Sequence, residues 1–306
     1  MKILVFGSRG LVGSSTVKTL KEKNIYKQVI ASNREDTNLF DFNSTYKTIS
    51  EQSPDVIVNA AARVGGIVAN NTNRFEFIVE NLKINLNILE SIKDFKKIKL
   101  INLGSSCIYP LDADNPIKEE YIMSGKLEPT NSPYAMAKLT AIEIGNSMKQ
   151  QFGMNITNLM PTNLYGPNDN FSEIESHVIP GLIRRMHNSK INNDDEFKIW
   201  GTGNPKREFL YAEDLAEAIN FIISNEISEE ILNVGSNEEV TIKQLAEIIR
   251  NNIDYGGSLA FDTTKPDGNP RKLLDSTKIF ELGWKPKVKL EEGIDKTYKW
   301  FLDNIV

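Results

Sequence analysis

A short apolar run, Lys2-Ile3-Leu4-Val5-Phe6, passes directly into Gly7-Ser8-Arg9-Gly10-Leu11-Val12-Gly13, and a helical pattern follows through Leu20. Few folds place glycines three apart between a buried strand and a helix. The first allows a tight turn, the second lets a pyrophosphate approach backbone N–H groups, and the third lets helix and strand pack closely. The spacing is Gly-x-x-Gly-x-x-Gly rather than the Gly-x-Gly-x-x-Gly of most dehydrogenases, and a Gly-rich turn can be a bland connection. Its position at residue 7 nevertheless predicts a dinucleotide held by Gly7, Ser8, Arg9, Gly10, Leu11, Val12 and Gly13.

The chain then alternates apolar strands and amphipathic helices, the pattern of a doubly wound parallel sheet in an α/β (Rossmann) fold. Asp55 to Asn59 reads as a strand ending in Ala60-Ala61-Ala62, small residues that let a cofactor pass close to the backbone. Phe75, Ile78, Val79, Leu82, Leu86 and Leu89 mark one helical face. The strand Leu100 to Leu103 delivers Ser105 to Cys107 to its carboxyl end, where ligands bind in such sheets. A helix from Tyr134 to about Gln151 and a strand from Ile156 to Met160 complete the unit. Past Pro161, Tyr165-Gly166-Pro167-Asn168-Asp169-Asn170 breaks regular structure. We therefore expect residues 1–164 to form the cofactor domain, with a return at about 208–235, and 165–306 to form mainly a smaller α/β substrate-binding domain. Within it, Thr241 is expected to cap a helix to Asn251, Lys265 to Pro270 to form a loop, and a final helix to run to Phe301.

Cofactor choice is read at the end of the second strand, Gln28 to Ala31. A carboxylate there would bind the 2′-hydroxyl of NAD, but the chain continues Ser32-Asn33-Arg34. Arg34 and Arg9 suit a 2′-phosphate, so NADP(H) is expected; solvated surface arginines are the alternative.

A formal charge of −5 disfavours a nucleic-acid surface. One cysteine excludes intrachain disulfides. Met1-Lys2 followed by only four strongly apolar residues is no signal peptide, and no apolar run approaches the ~20 residues of a membrane helix. A cytoplasmic enzyme is expected, and no metal-ligand spacing stands out.

Tyr134 and Lys138 lie four apart, on one helical face. A nearby cation can lower a phenol's pKa and make it a general acid at a carbonyl. The pair alone is weak, being common on surface helices. Were 105–107 extended, Ser105 and Cys107 would face the same side.

The sequence resembles the extended short-chain dehydrogenase/reductases, in their GDP-L-fucose synthase branch, over nearly the whole chain. The likeness rests on Gly7 to Gly13, Ala61-Ala62-Arg63-Val64-Gly65-Gly66-Ile67, Gly104 to Pro110, Glu128-Pro129-Thr130-Asn131 and Tyr134 to Lys138. Ser176 to Pro180, Trp200 to Gly203, Arg207 to Leu210 and Lys265 to Asp275 extend it. Ser8, where the family usually has histidine, and Tyr211-Ala212-Glu213-Asp214 depart from the pattern. The resemblance implies that Ser105 and Tyr134 polarise a C4 ketone and that Lys138 lowers the Tyr134 pKa and holds the nicotinamide ribose. It further implies Cys107 as base and His177 as acid in epimerising C3 and C5 before reduction. Leu39, Ala61, Pro161, Asn163, Leu164 and His177 join the cofactor contacts by the same implication, and Arg185, Trp200, Arg207 and Asp267 the GDP-sugar contacts. A homodimer through the Phe75 and Tyr134 helices is likewise implied. His187, the other histidine, follows Arg184-Arg185-Met186 and is expected at the surface. A C4-reductase of a related GDP-4-keto sugar, such as a heptose, and a catalytically silent nucleotide sensor are the competing readings.

Overall fold

The computed structural model describes residues 1–306 except Ile174 and Pro266. The expected loop over 265–270 includes Pro266, which lies outside the described residues.

The first half runs β1 (Lys2–Phe6), α1 (Leu11–Lys23), β2 (Gln28–Ser32), α2 (Phe42–Gln52), β3 (Val56–Asn59), α3 (Ile67–Thr72), α4 (Arg74–Ile92), β4 (Lys99–Leu103), α5 (Ser132–Phe152) and β5 (Asn155–Pro161). The second half adds β6 (Asn163–Tyr165), α6 (Val178–Asn192), β7 (Glu196–Trp200), β8 (Lys206–Tyr211), α7 (Ala212–Ser224), β9 (Ile231–Val234) and β10 (Glu239–Thr241). It closes with α8 (Ile242–Ile253), β11 (Ser258–Asp262), β12 (Arg271–Lys272), α9 (Thr277–Glu281) and α10 (Leu290–Asn304).

A six-stranded sheet of order β2-β1-β3-β4-β5-β9 is parallel throughout. Its strands are apolar along their length because helices cover both faces: Ile3, Leu4, Val5, Phe6, Ile57, Val58 and Ile101 are fully buried. Strand order reverses between β1 and β3, which opens a crevice at their carboxyl ends. The chain re-enters this sheet late, through β9, while α7 lies against α1, with Tyr26 donating to Asn220 Oδ1 at 2.7 Å. The preceding β8 belongs elsewhere. It pairs with β6, β10 and β12 in a smaller sheet, and β7 pairs with β11 in a third. A second core fills this region, built on Phe171, Ile183, Met186, Phe197, Phe209, Ile249 and Phe301. Thr241 caps α8 through a full capping box with Gln244.

Two expectations fail here. The buried face of α4 matches the Phe75 to Leu89 stripe only at its end: Phe77, Asn81, Ile84, Asn85, Ile88, Leu89 and Ile92 face inward, while Phe75 is 71% exposed and Leu86 is exposed too. Two asparagines suit the inside because each is paired. Asn81 Nδ2 donates to Phe77 O at 2.7 Å, and Asn85 Oδ1 accepts from Asn59 Nδ2 at 3.2 Å. That Asn59 also donates to Asn102 Oδ1 at 3.0 Å, and Asn102 to Asn158 Oδ1 at 3.2 Å, which makes an amide ladder across β3, β4 and β5. His187 is the second failure: it is buried, not at the surface, and its Nδ1 meets the Tyr298 hydroxyl at 2.9 Å.

Candidate functional site

The glycine turn is built as a cradle. Gly7 has φ of 76°, and a Cβ there would lie 2.7 Å from the Ala60–Ala61 peptide at the strand-order switch. A Cβ on Gly13 would stand 2.0 Å from Gly7 O, so α1 packs directly on the turn. Gly10 begins α1 without a side-chain cap. The first-turn N–H groups of that helix are thus left to an anion, which fits a dinucleotide pyrophosphate.

Arg34 is exposed near the turn. Arg9 is not free: its guanidinium pairs with Glu35 at 2.6 Å, both side chains open to solvent. Reading the strand end only as far as Arg34 misses this carboxylate, which stands one residue further on. Leu39 is half-buried and fixed by Asn87 Nδ2 on its carbonyl at 2.8 Å, and the Ala61 N–H donates to Asn59 Oδ1 at 3.2 Å. Pro161 ends β5, Asn163 Nδ2 donates to Glu208 O at 2.8 Å, and Leu164 pairs with Leu210.

Past β4 the chain does not stay extended. Ser105 caps a single 3-10 turn, Ser106–Ile108, by accepting from the Cys107 N–H at 3.2 Å. The hydroxyl and thiol are brought together by this turn rather than by strand alternation. Tyr134, in the first turn of α5, has the Ser105 hydroxyl and the Cys107 thiol as its polar neighbours. Lys138 is fully buried one turn on, with Nζ 2.7 Å from Leu103 O and 5.7 Å from the Tyr134 ring centre. Burial brings the lysine down to about 8. Burial, and then Cys107, hold the phenol above its ordinary value, against the Ser105 hydroxyl. This corrects the expected lowering of the Tyr134 pKa by Lys138: desolvation wins for both groups. Asn131, absent from the sequence candidates, donates from Nδ2 to Cys107 Sγ at 3.5 Å.

His177 precedes α6 and is exposed. Desolvation by the surrounding protein lowers its pKa, opposed by the Gly65 backbone. The Gly66 N–H donates to Glu175 O at 2.8 Å, and a Cβ on Gly66 would come within 2.5 Å of Ser176 O, so the Gly-Gly pair seats the histidine's backbone. A Cβ on Gly65 would stand 3.2 Å from the Phe77 ring, whose centre is 6.3 Å from that of Tyr134. Among the described residues no hydrogen bond joins His177 to Ser105, Cys107 or Tyr134.

The other candidates gather around β7 and β8. Arg185 lies 5.2 Å from the Phe197 ring centre. Arg207 donates to Asn269 O at 2.6 Å, and burial lowers the pKa of both arginines. Trp200 is 61% exposed, with Lys265 Nζ 5.9 Å from its ring centre; it is no core aromatic. Asp267 is already engaged by Thr202, whose N–H donates at 2.8 Å and hydroxyl at 2.7 Å. Glu208, beside Arg207 in the same stretch, is also absent from the sequence candidates. It is fully buried and accepts from Asn237 N at 2.8 Å and Leu274 N at 3.1 Å. A surface pocket lined by Ser53, Lys93, Lys96 and Phe152 lies at the amino edge of the sheet, away from this chemistry.

Over residues 3–235 the sequence matches the model of the NAD dependent epimerase/dehydratase family. GDP-L-fucose synthase 1 of Arabidopsis thaliana is 46% identical over 306 residues, 99% of this chain and 94% of that one. Among solved structures, a GDP-L-fucose synthetase from Naegleria fowleri bound to NADP matches with a TM-score of 0.90 at 29% identity, over 99% of this chain and 94% of that one. A GDP-6-OMe-4-keto-L-xylo-heptose reductase from C. jejuni also matches at 0.90 and 29%, over 99% and 97%. No helix among the described residues is long and apolar enough to cross a membrane, and no cluster of three or more potential metal ligands occurs among them.

Proposed function

The chain belongs to the NAD dependent epimerase/dehydratase family, and we propose that it converts GDP-4-keto-6-deoxy-D-mannose to GDP-L-fucose with NADPH, by epimerisation at C3 and C5 followed by reduction at C4. One observation carries the reading: a phenol, a hydroxyl and a thiol share one site at the carboxyl end of β4, with a buried lysine beneath them. A pure carbonyl reductase has no use for the thiol.

NADPH, when bound, supplies the hydride for C4. The first turn of α1 and Gly7 to Gly13 would hold its pyrophosphate, Arg34 its 2′-phosphate, and Lys138 its nicotinamide ribose. Ser105 and Tyr134 donate hydrogen bonds to the ketone oxygen, which acidifies the C–H bonds on either side. Cys107 takes a proton from the adjacent carbon, and His177 returns one from the other face. Tyr134 finally protonates the C4 oxygen. Arg185 and Arg207 hold the diphosphate, and Trp200 meets the nucleotide end. We assign 1–164 with 208–235 to the cofactor and 165–306 mainly to the sugar nucleotide. A cytoplasmic homodimer contacting through α4 and α5 completes the proposal.

The test is incubation with GDP-4-keto-6-deoxy-D-mannose and NADPH, following cofactor oxidation and product stereochemistry. GDP-L-fucose is the expected product; no NADPH consumption would refute the reading. The likeness to the heptose reductase supports a second reading, reduction of a GDP-4-keto-heptose, which predicts faster turnover of that sugar.

A further inference from the structure

Asn131 stands where an asparagine usually caps a helix by accepting first-turn N–H groups, yet its side chain makes no cap on α5. Its Nδ2 donates to Cys107 Sγ instead, and its Oδ1 is buried without a partner. Both choices cost stability, so the orientation needs a reason. The backbone that carries this side chain is held from two sides. Glu128 accepts the Asn131 N–H at 3.1 Å, the Thr130 N–H at 3.1 Å and the Thr130 hydroxyl at 2.5 Å. Arg74 of α4 donates to Pro129 O at 2.8 Å and to Ser132 Oγ at 3.2 Å.

We propose that Asn131 is the positioning residue for proton abstraction: its amide N–H supports the Cys107 thiolate and aims it at the carbon beside the ketone. The catalytic part of this rests on the reading of Cys107 as base. A thiol must shed its proton before it can take one from carbon. In the step itself the C–H proton passes to sulfur, the C–H electron pair becomes the enolate double bond, and the carbonyl π pair moves onto the C4 oxygen. An N–H aimed at sulfur favours the anion that begins this step. Half a turn of the amide would bring Oδ1 to the same place, an acceptor for the S–H that ends it, so one side chain serves both protonation states.

Cys107 is the only cysteine in the chain, so iodoacetamide reads its reactivity without substrate. Asn131→Asp keeps the shape, removes the donor and adds a like charge. Loss of a hydrogen bond to an ion predicts that alkylation at pH 7 slows about tenfold or more, with NADPH affinity held within about twofold. Asn131→Ser is too short to bring a donor to the 3.5 Å contact with Sγ, so alkylation stays slow there as well, without the added charge of the Asp variant. Solvent deuterium incorporation at C3 and C5 falls in parallel with alkylation in the Asp variant. Should that variant fail to bind NADPH, Asn131→Ala replaces it: truncation opens access to the thiol, so slower alkylation there is diagnostic. Alkylation at or above the wild-type rate in a variant that binds NADPH overturns the proposal. Slow alkylation with undiminished deuterium incorporation keeps the amide–thiol relation and removes Cys107 from the role of base.

Discussion

Lys138 donates from Nζ to the carbonyl oxygen of Leu103 at 2.7 Å, so the strand that presents Ser105 also fixes the charge beneath Tyr134.

That charge is sensitive to pH because burial brings Lys138 to about 8. The ammonium is present below that value and lost as pH rises through it, so C4 reduction should decline across pH 8. Stability moves the opposite way. The unfolded lysine, titrating near 10.5, binds more protons than the folded one between about 8 and 10.5, so unfolding free energy from this group rises over that window. Lys138→Met should cut kcat by about a hundredfold or more and flatten the alkaline limb. A kcat–pH profile from 6 to 10 checks both.

Removing the thiol separates the two halves of the reaction. Cys107→Ser should slow solvent deuterium incorporation at C3 and C5 by about two to four orders of magnitude, leaving NADPH binding intact. Exchange at the wild-type rate would assign the base to another group.

The Arg9–Glu35 pair bears on cofactor choice. Arg34→Ala should weaken NADPH about tenfold and NADH little. Glu35→Gln should tighten NADPH a few-fold by releasing Arg9, since an exposed pair is worth only about 0.2–1 kcal/mol. Equal effects on NADPH and NADH would remove the 2′-phosphate from the neighbourhood of Arg34.

Asp169 has a buried, unpartnered Oδ2, and burial lifts its carboxyl to about 7. Between the ordinary carboxylate range and about 7 the folded state holds the extra proton, so stability falls as pH rises across that interval. Asp169→Asn should raise Tm at pH 8 and lose that advantage near pH 4. Thermal unfolding at both pH values decides it, and a benefit equal at both would discount the ionisation.

Phe75 and Leu86 on α4 and Met136 on α5 are exposed apolar side chains. If they meet a second copy, Phe75→Glu should yield a monomer by light scattering at micromolar concentration. A dimer of unchanged stability would place the contact elsewhere.

The glycine turn and the strand before it were legible because both follow from local covalent geometry. Glycine alone tolerates the Gly7 turn and the close contact of Gly13. The 3-10 turn after Ser105 was legible in principle, since a serine hydroxyl readily accepts from the N–H two residues on. The α4 face was not: Asn81 and Asn85 look like solvent residues until Arg63, Asn59 and the backbone of α4 itself supply their partners. His187 misled for the same reason, its partner Tyr298 lying far down the chain. Asn131 lies inside the Glu128-Pro129-Thr130-Asn131 run, but only the fold reveals that it forgoes its cap for the thiol.

The ladder of Asn59, Asn102 and Asn158 occupies matched positions on three neighbouring strands. Sliding one strand by a single residue would turn its amide to the opposite face and strand its neighbours' polar groups in the core. The ladder therefore acts as a ruler. It fixes the register at which β3 hands the chain to Ala61, two residues past its first rung, and β4 to Ser105, three past its second.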